Sequence, residues 1–450
     1  MHLHPAGATL GVFFVHSITF LAWGVPERAG QKVSTKGDAP RLEWVKGHGT
    51  NQGEHVFEGM QARNGGFVAV GATTEKSGRT RDILVVHTDA DGKLKWQRVI
   101  GKKGMHEEGR CIIEVEDGFV VGGVLTVSGK TKAGLIKLDR LGRTKWERVY
   151  PHEGHGAIRG IDRTLDGGII ATGYTGCTSR EVPFIADEAR GFILKTDSGG
   201  NPAWKKLLRV SQGTKVKTDK HNGGFVICST VWKFSNGRDH QDACLIHTDN
   251  EGNVTWTRFY GGPGMEQCFD MDLAPNGYVL AGHAITGNRK DWNVWLARID
   301  SRGRLLWQKS FGEPLGGNTG LVHDECYGVR TTHDGGFILA CGSGIEPENV
   351  KDRRDPRNTW AAYVIRTDAN GNLMWEFTHH TPGKGHNAAE YITQCRDGGY
   401  MVFLDSDNVG TMKEENFGFL KLSPKKSIRK PLNQNAEAPA SLPPLPVHHP

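Results

Sequence analysis

Four histidines share one position in this 450-residue chain. His106, His155, His323 and His386 each stand eleven residues before an Asp-Gly dipeptide, at Asp117, Asp166, Asp334 and Asp397. Ten residues before the matching Asx-Gly, the side chain is acidic at Glu54, Glu107, Glu266 and Asp324. Neutral imidazoles are good ligands for zinc or copper, with carboxylates orienting them from behind. Beside arginine and tyrosine they offer other chemistry. An imidazole then abstracts a proton next to a uronate, while the cations neutralise its carboxylate. Arg110, Arg159, Tyr327 and Tyr391 lie within a few residues of these histidines. The plain alternative is polar groups bonding one another and water at a wet opening, and it stays open.

Whether such residues meet depends on the elements that carry them, and these repeat. Trp44, Trp96, Trp146, Trp204, Trp256, Trp307 and Trp375 are spaced 50 to 68 residues apart. From the second onward each has Asp seven residues before it and Gly four before it, as Asp249 and Gly252 precede Trp256. Between tryptophans runs a second turn, as in NGGFVAVG, DGGIIATG and DGGFILAC. Asn or Asp followed by Gly supplies the positive φ of a tight hairpin. Each unit reads as four strands: one ending at the Asx-Gly turn, the GGF run, an LVVHTD-type run, and the tryptophan strand. A period of this size is that of a propeller blade.

The repeat resembles the widespread secreted bacterial and archaeal β-propeller family of the DGGYILAGYT…LIKTDSNGNLLWEKTYGG type, over residues 41–424. The resemblance implies fold and says little about activity. The architecture expected is all-β: a seven-bladed propeller of four-stranded antiparallel blades. The last repeat lacks a tryptophan strand, so the N-terminal RLEWVKG is expected to complete it and close the ring. The Asp of the TDxDG turns is read as a turn former, because a calcium loop needs alternate ligands and a later Glu. The tryptophans are read as packing between blades.

The two short turns of each unit share one face, and every long loop falls on the other. Blade 3 carries GCTSREVPFIADEAR and blade 6 SGIEPENVKDRRDPRNTW, with Arg180, Arg190, Arg353, Arg354 and Arg357. Variable loops on a rigid frame are where recognition is usually carried. Trp232, Trp292, Trp295 and Trp360 are the better candidates there for glycan contact. The four histidines belong to the start of the innermost strand, at the channel mouth on this looped face.

Residues 6–25, AGATLGVFFVHSITFLAWGV, have the length of a secretory signal, with cleavage after Gly24. The expected domains are signal 1–24, linker 25–40, propeller 41–424 and disordered tail 425–450. Eight cysteines suit an oxidising compartment; Cys228 with Cys244 and Cys326 with Cys341 are the pairs a hairpin brings near, or all eight are small buried hydrophobes. Glycine makes up 61 of 450 residues, about twice the usual share, which reads as short strands joined by tight turns, and Ala, Leu and Glu are too few for a helical bundle. A net charge of +6, mixed along the chain, is too diffuse for a nucleic-acid arm. No membrane span follows the signal, and no P-loop, GxSxG or HExxH motif occurs.

The expected function is a secreted, periplasmic or cell-surface monomer that binds a glycan or extracellular protein with its looped face, without nucleic acid. The alternative is a lyase or hydrolase on an acidic polysaccharide. There His106, His155, His323 and Tyr327 are catalytic, and Arg110, Arg159, His386, Glu107 and Asp324 hold substrate. A third reading places a metal on His106, His155, His323 and His386. No cofactor is expected under the first reading; zinc, copper or calcium belongs to the third.

Overall fold

The structure, a computed structural model, describes residues 32–424 apart from 51, 77, 79, 236–237, 263, 286–290, 313, 315–321, 346–359, 381–385 and 408–414. The expected signal and tail lie outside the described residues, as do Arg353, Arg354 and Arg357. Twenty-nine strands, β1–β29 in chain order, are described, and they form seven antiparallel sheets. Among the described residues no helix is long and apolar enough to cross a membrane.

Six blades are each four strands consecutive in sequence, starting at 54, 108, 155, 215, 265 and 322. The seventh has three of its own: β27 (Ala389–Gln394), β28 (Tyr400–Asp407) and β29 (Glu415–Leu422). Its outer strand is β2 (Leu42–His48), with Leu42 opposite Leu422 and His48 opposite Phe417. The ring therefore closes as expected, as a seven-bladed β-propeller.

One strand was not foreseen. β1 (Lys32–Gly37) lies within the stretch read as linker, and it adds a fifth strand to blade 6 by pairing with β26 (Leu373–His380). KVSTKG has no apolar alternation to announce a strand. Its stability comes from the outer edge of β26, whose free backbone groups it satisfies. The segment from β1 to β2 thus serves two adjoining blades.

The repeated Asp and Gly act as read. Asp249 Oδ1 accepts from the N–H groups of Glu251 (3.0 Å) and Asn253 (2.7 Å), and Asp89, Asp139, Asp197, Asp300 and Asp368 do the same. These carboxylates are occupied by their own turns. The glycine three residues on sits at positive φ, under the tryptophan of the preceding blade: Gly92 under Trp44, Gly252 under Trp204, Gly371 under Trp307. The indoles are packing between blades, as expected. The core lies in the seams, where Val226 and Leu245 of blade 4 meet Met271, Leu280 and Trp295 of blade 5. All eight cysteines are buried and none is in a disulfide. Cys326 stands opposite Cys341 in register, whereas Cys244 faces Ser229, one residue away from Cys228.

Candidate functional site: the central cavity

The innermost strands are β3 (Glu54–Gln61), β7 (Glu108–Val115), β11 (His155–Arg163), β15 (Lys215–Thr218), β19 (Met265–Ala274), β23 (Val322–Thr331) and β27. In six of them the pairing to the second strand skips one residue: Phe57, Arg110, Arg159, Phe269, Tyr327 and Glu390. A bulge re-aims the extra side chain. All six line one cavity of about 210 Å³, together with His55, Phe184, Thr214, Lys215 and Tyr391. Lys215, which opens β15, supplies the contribution of blade 4, the remaining blade. Each of the seven stands seven residues before its turn Asx, so one register of the repeat furnishes the whole ring.

The charges in this ring are mostly matched. Lys215 Nζ lies 2.6 Å from Glu58 Oε2 and 3.8 Å from Asp270 Oδ1. Arg110 Nη2 is 2.5 Å from Glu108, and its guanidinium sits 3.8 Å over the Phe57 ring. Despite burial, Arg110, His106 and Arg81 hold the Glu108 carboxyl well below the usual range. Arg330 Nη1 lies 2.7 Å from Asp270, with its guanidinium over Tyr391.

Arg159 is different. Its Nη1 donates to the carbonyls of Pro183 (2.9 Å) and Phe184 (3.0 Å) and to Gln212 Oε1 (3.2 Å). It has no carboxylate partner among the described residues. Burial, with repulsion from Arg110, pushes its guanidinium down to about 10. Those carbonyls belong to the blade 3 insert, so Arg159 holds Phe184 at the cavity. Phe184 packs there with Phe269 (ring centroids 4.6 Å apart), Tyr327 and the buried His283. The cavity is therefore part cationic and part aromatic.

The residues named from sequence divide. Arg110, Arg159, Tyr327 and Tyr391 line the cavity; His106, His155, His323, His386, Glu107 and Asp324 do not. His106 Nε2 is 3.0 Å from Glu108, one shell behind Arg110. His155 Nδ1 accepts from Thr131 N–H (3.1 Å) and contacts its hydroxyl (2.8 Å), and burial lowers its pKa. His323 Nδ1 lies 3.9 Å from Glu325. His386 is half-buried. Glu107 and Asp324 are buried, Glu107 accepting weakly from Thr126 N–H. The four imidazoles do not form a metal-holding group among the described residues. Phe57, Lys215, Phe269 and Glu390 went unnoticed, and the signal was there: the same count back from the turn, stopped at seven rather than eleven.

Glu54, Glu107 and Glu266, three of the acids at the tenth position, instead accept from backbone N–H groups of the loop entering the blade. Glu54 Oε1 accepts from Thr50 N–H (3.0 Å), the Thr50 hydroxyl (2.5 Å) and the Thr73 hydroxyl (2.9 Å). In Glu266, as in Glu54, Oε2 is buried with no hydrogen-bond partner among the described residues. Burial pushes the Glu266 carboxyl up to about 7; the Asp242 charge adds to this, while the Gly262 N–H and His240 oppose it. A raised carboxyl contributes stability fully present below the ordinary value of 4.5 and lost as pH rises through 7. Glu266→Gln removes that loss. Urea unfolding at pH 8 is expected to show the variant more stable than the parent by on the order of 2 kcal/mol, with the gap closing at pH 5.

A second groove on the looped face, of about 360 Å³, lies between blades 3 and 4 and is lined by Asp187, Arg190, Arg209 and Trp232. Trp232 is 45% exposed, whereas Trp295 and Trp360 are buried and Trp292 is half-buried beside His283. Only the first therefore keeps an open ring face for glycan contact.

No protein-family profile and no curated protein matches the chain. Solved structures do. The WD40 domain of Neurospora crassa Pan2 aligns at 11% identity and a TM-score of 0.48, over 83% of this chain and 90% of that one. YCF48 bound to D1 peptide aligns at 10% and 0.49, over 86% and 99%. A puromycin hydrolase aligns at 16% and 0.46, over 79% of this chain and half of its own. Each is a likeness of fold.

Proposed function

We propose that this protein is an exported binding propeller, secreted, periplasmic or on the cell surface, of the repeat family it resembles. It receives an acidic partner, a glycan or a protein segment, through its looped face and seats a carboxylate in the central cavity. Arg159 carries the reading: a guanidinium held at the cavity, its charge opposed by burial and by Arg110, with no carboxylate paired to it among the described residues. A ligand carboxylate would accept from its Nε and Nη2, which take no bond among the described residues, in the forked geometry arginine favours. Phe184, Phe269 and Tyr327 offer a ring or side chain an apolar wall. A rigid ring presents such a seat at little ordering cost. The lyase or hydrolase reading loses support, since its three histidines lie outside the cavity.

Calorimetric titration with uronate oligomers, an acidic peptide and a neutral oligosaccharide tests this. Acidic ligands are expected to bind and the neutral one not. Arg159→Met should weaken binding by about ten- to a hundredfold, as losing a charged hydrogen bond of about 1.5–3 kcal/mol implies. Arg159→Lys keeps the charge and retains part of the affinity. Equal affinity for the parent and Arg159→Met, or an unsaturated product accumulating from the uronate, overturns the proposal.

A further inference from the structure

We propose that His55, Glu390 and Asp405 form a binding site for a divalent first-row transition cation, such as zinc or manganese, in the wall of the central cavity. One donor atom from each lies within 4.8 Å of the other two. They come from three strands on both sides of one seam: β3 of blade 1, and β27 and β28 of blade 7. Closing the ring is what brings them together.

The geometry is built rather than incidental. Asp405 Oδ1 accepts from Val56 N–H at 2.8 Å, which turns its other oxygen toward His55 Nδ1, and the two are paired. A cation would replace the hydrogen bond between them, the two side chains parting to coordination distance. Glu390 is the bulged residue of β27, aimed inward by that irregularity. Glu390 and Asp405 are 9% and 3% exposed. Two buried carboxylates this close repel strongly, and a doubly charged ion between them converts that repulsion into attraction.

The donor set chooses the ion. One imidazole nitrogen and two carboxylate oxygens suit zinc or manganese, whereas calcium takes six to eight oxygens. Three protein ligands leave a coordination position open, the arrangement of a reactive rather than a purely structural site. His55 and Glu390 both line the cavity, so that position faces the space where Arg159 and Tyr327 stand.

The experiment needs no ligand beyond the metal, so it is independent of the function proposed above. Full-length protein, stripped with chelator and dialysed, is titrated with zinc chloride and with manganese chloride, and its thermal unfolding is followed in parallel. One equivalent is expected to bind and to raise the unfolding temperature, as any ligand of the native state does. Asp405→Asn, which keeps an acceptor for Val56 N–H, and Glu390→Gln at the bulge should each weaken binding at least tenfold. His106→Ala should leave it unchanged. With 20 histidines in the chain, the comparison is what decides. Binding that is substoichiometric, or equal in the parent and both carboxamide variants, overturns the site.

Discussion

A chain beginning at residue 53 is expected not to form a stable ring, whereas one beginning at residue 40 is expected to fold with a modest loss. Both remove β1; only the first also removes β2. Without β2, blade 7 keeps three strands and β29 becomes a free edge bearing the buried Phe417, Phe419 and Leu420. The loss extends to the first seam, because Trp44 packs edge-on against Phe67 at 6.3 Å and over Gly92. Blade 1 would face water across a gap where the ring had been continuous. An exposed apolar strand edge of this kind also recruits other chains. Without β1 alone, blade 6 still has four strands, as every other blade does, and what is uncovered is the edge of β26, whose residues 375–379 are buried in the five-stranded sheet. Thermal unfolding with size-exclusion chromatography separates the cases: aggregation or a transition lowered by more than about 10 °C for the shorter chain, and a monomer within a few degrees of the parent for the longer. Equal behaviour would mean the closure carries little of the stability.

The same contrast marks what the sequence discloses and what it hides. β2 was legible because RLEWVKG carries the tryptophan motif that the last repeat lacks. β1 was not, because a strand that adds to an existing edge gains from backbone pairing, which any polar segment can supply. The histidines were found by the right method at the wrong register. Counting back from a turn assumes an unbroken strand, but six innermost strands contain a bulge between the turn and the mouth. An extra residue shifts which side chains face inward, so the positions expected to face the channel turned into the blade. Arg110, Arg159 and Tyr327 came through because their types had drawn attention apart from any register. His55 and Asp405 had no local signal at all, being 350 residues apart and joined only by closure.

Replacing Gly252 by alanine is expected to cost about 2–4 kcal/mol, while Gly223→Ala in the same blade costs about 1. The two glycines share φ +76, so the backbone strain of a Cβ in the left-handed region is common to both. They differ in surroundings. Nothing lies within 4 Å of a Cβ at Gly223, whereas one at Gly252 meets Cη2 and Cζ3 of Trp204 at 2.6 Å. Trp204 cannot simply retreat. It packs on Phe225 with ring centroids 6.1 Å apart, and Lys206 lies over its face at 5.9 Å. The turn cannot move away either, since Asp249 is bonded to the N–H groups of Glu251 and Asn253 on either side of the glycine. The overlap must be relieved at the seam between blades 3 and 4. Denaturant unfolding of both variants, repeated in a Trp204→Leu background, isolates the contact: the excess cost of Gly252→Ala over Gly223→Ala should shrink when the indole is gone. An undiminished excess would show that the glycine is required by its own turn alone. If the excess does shrink, the repeated Gly and Trp form one device, six times over, in which a residue without a side chain lets the indole of one blade lie flat on the turn of the next.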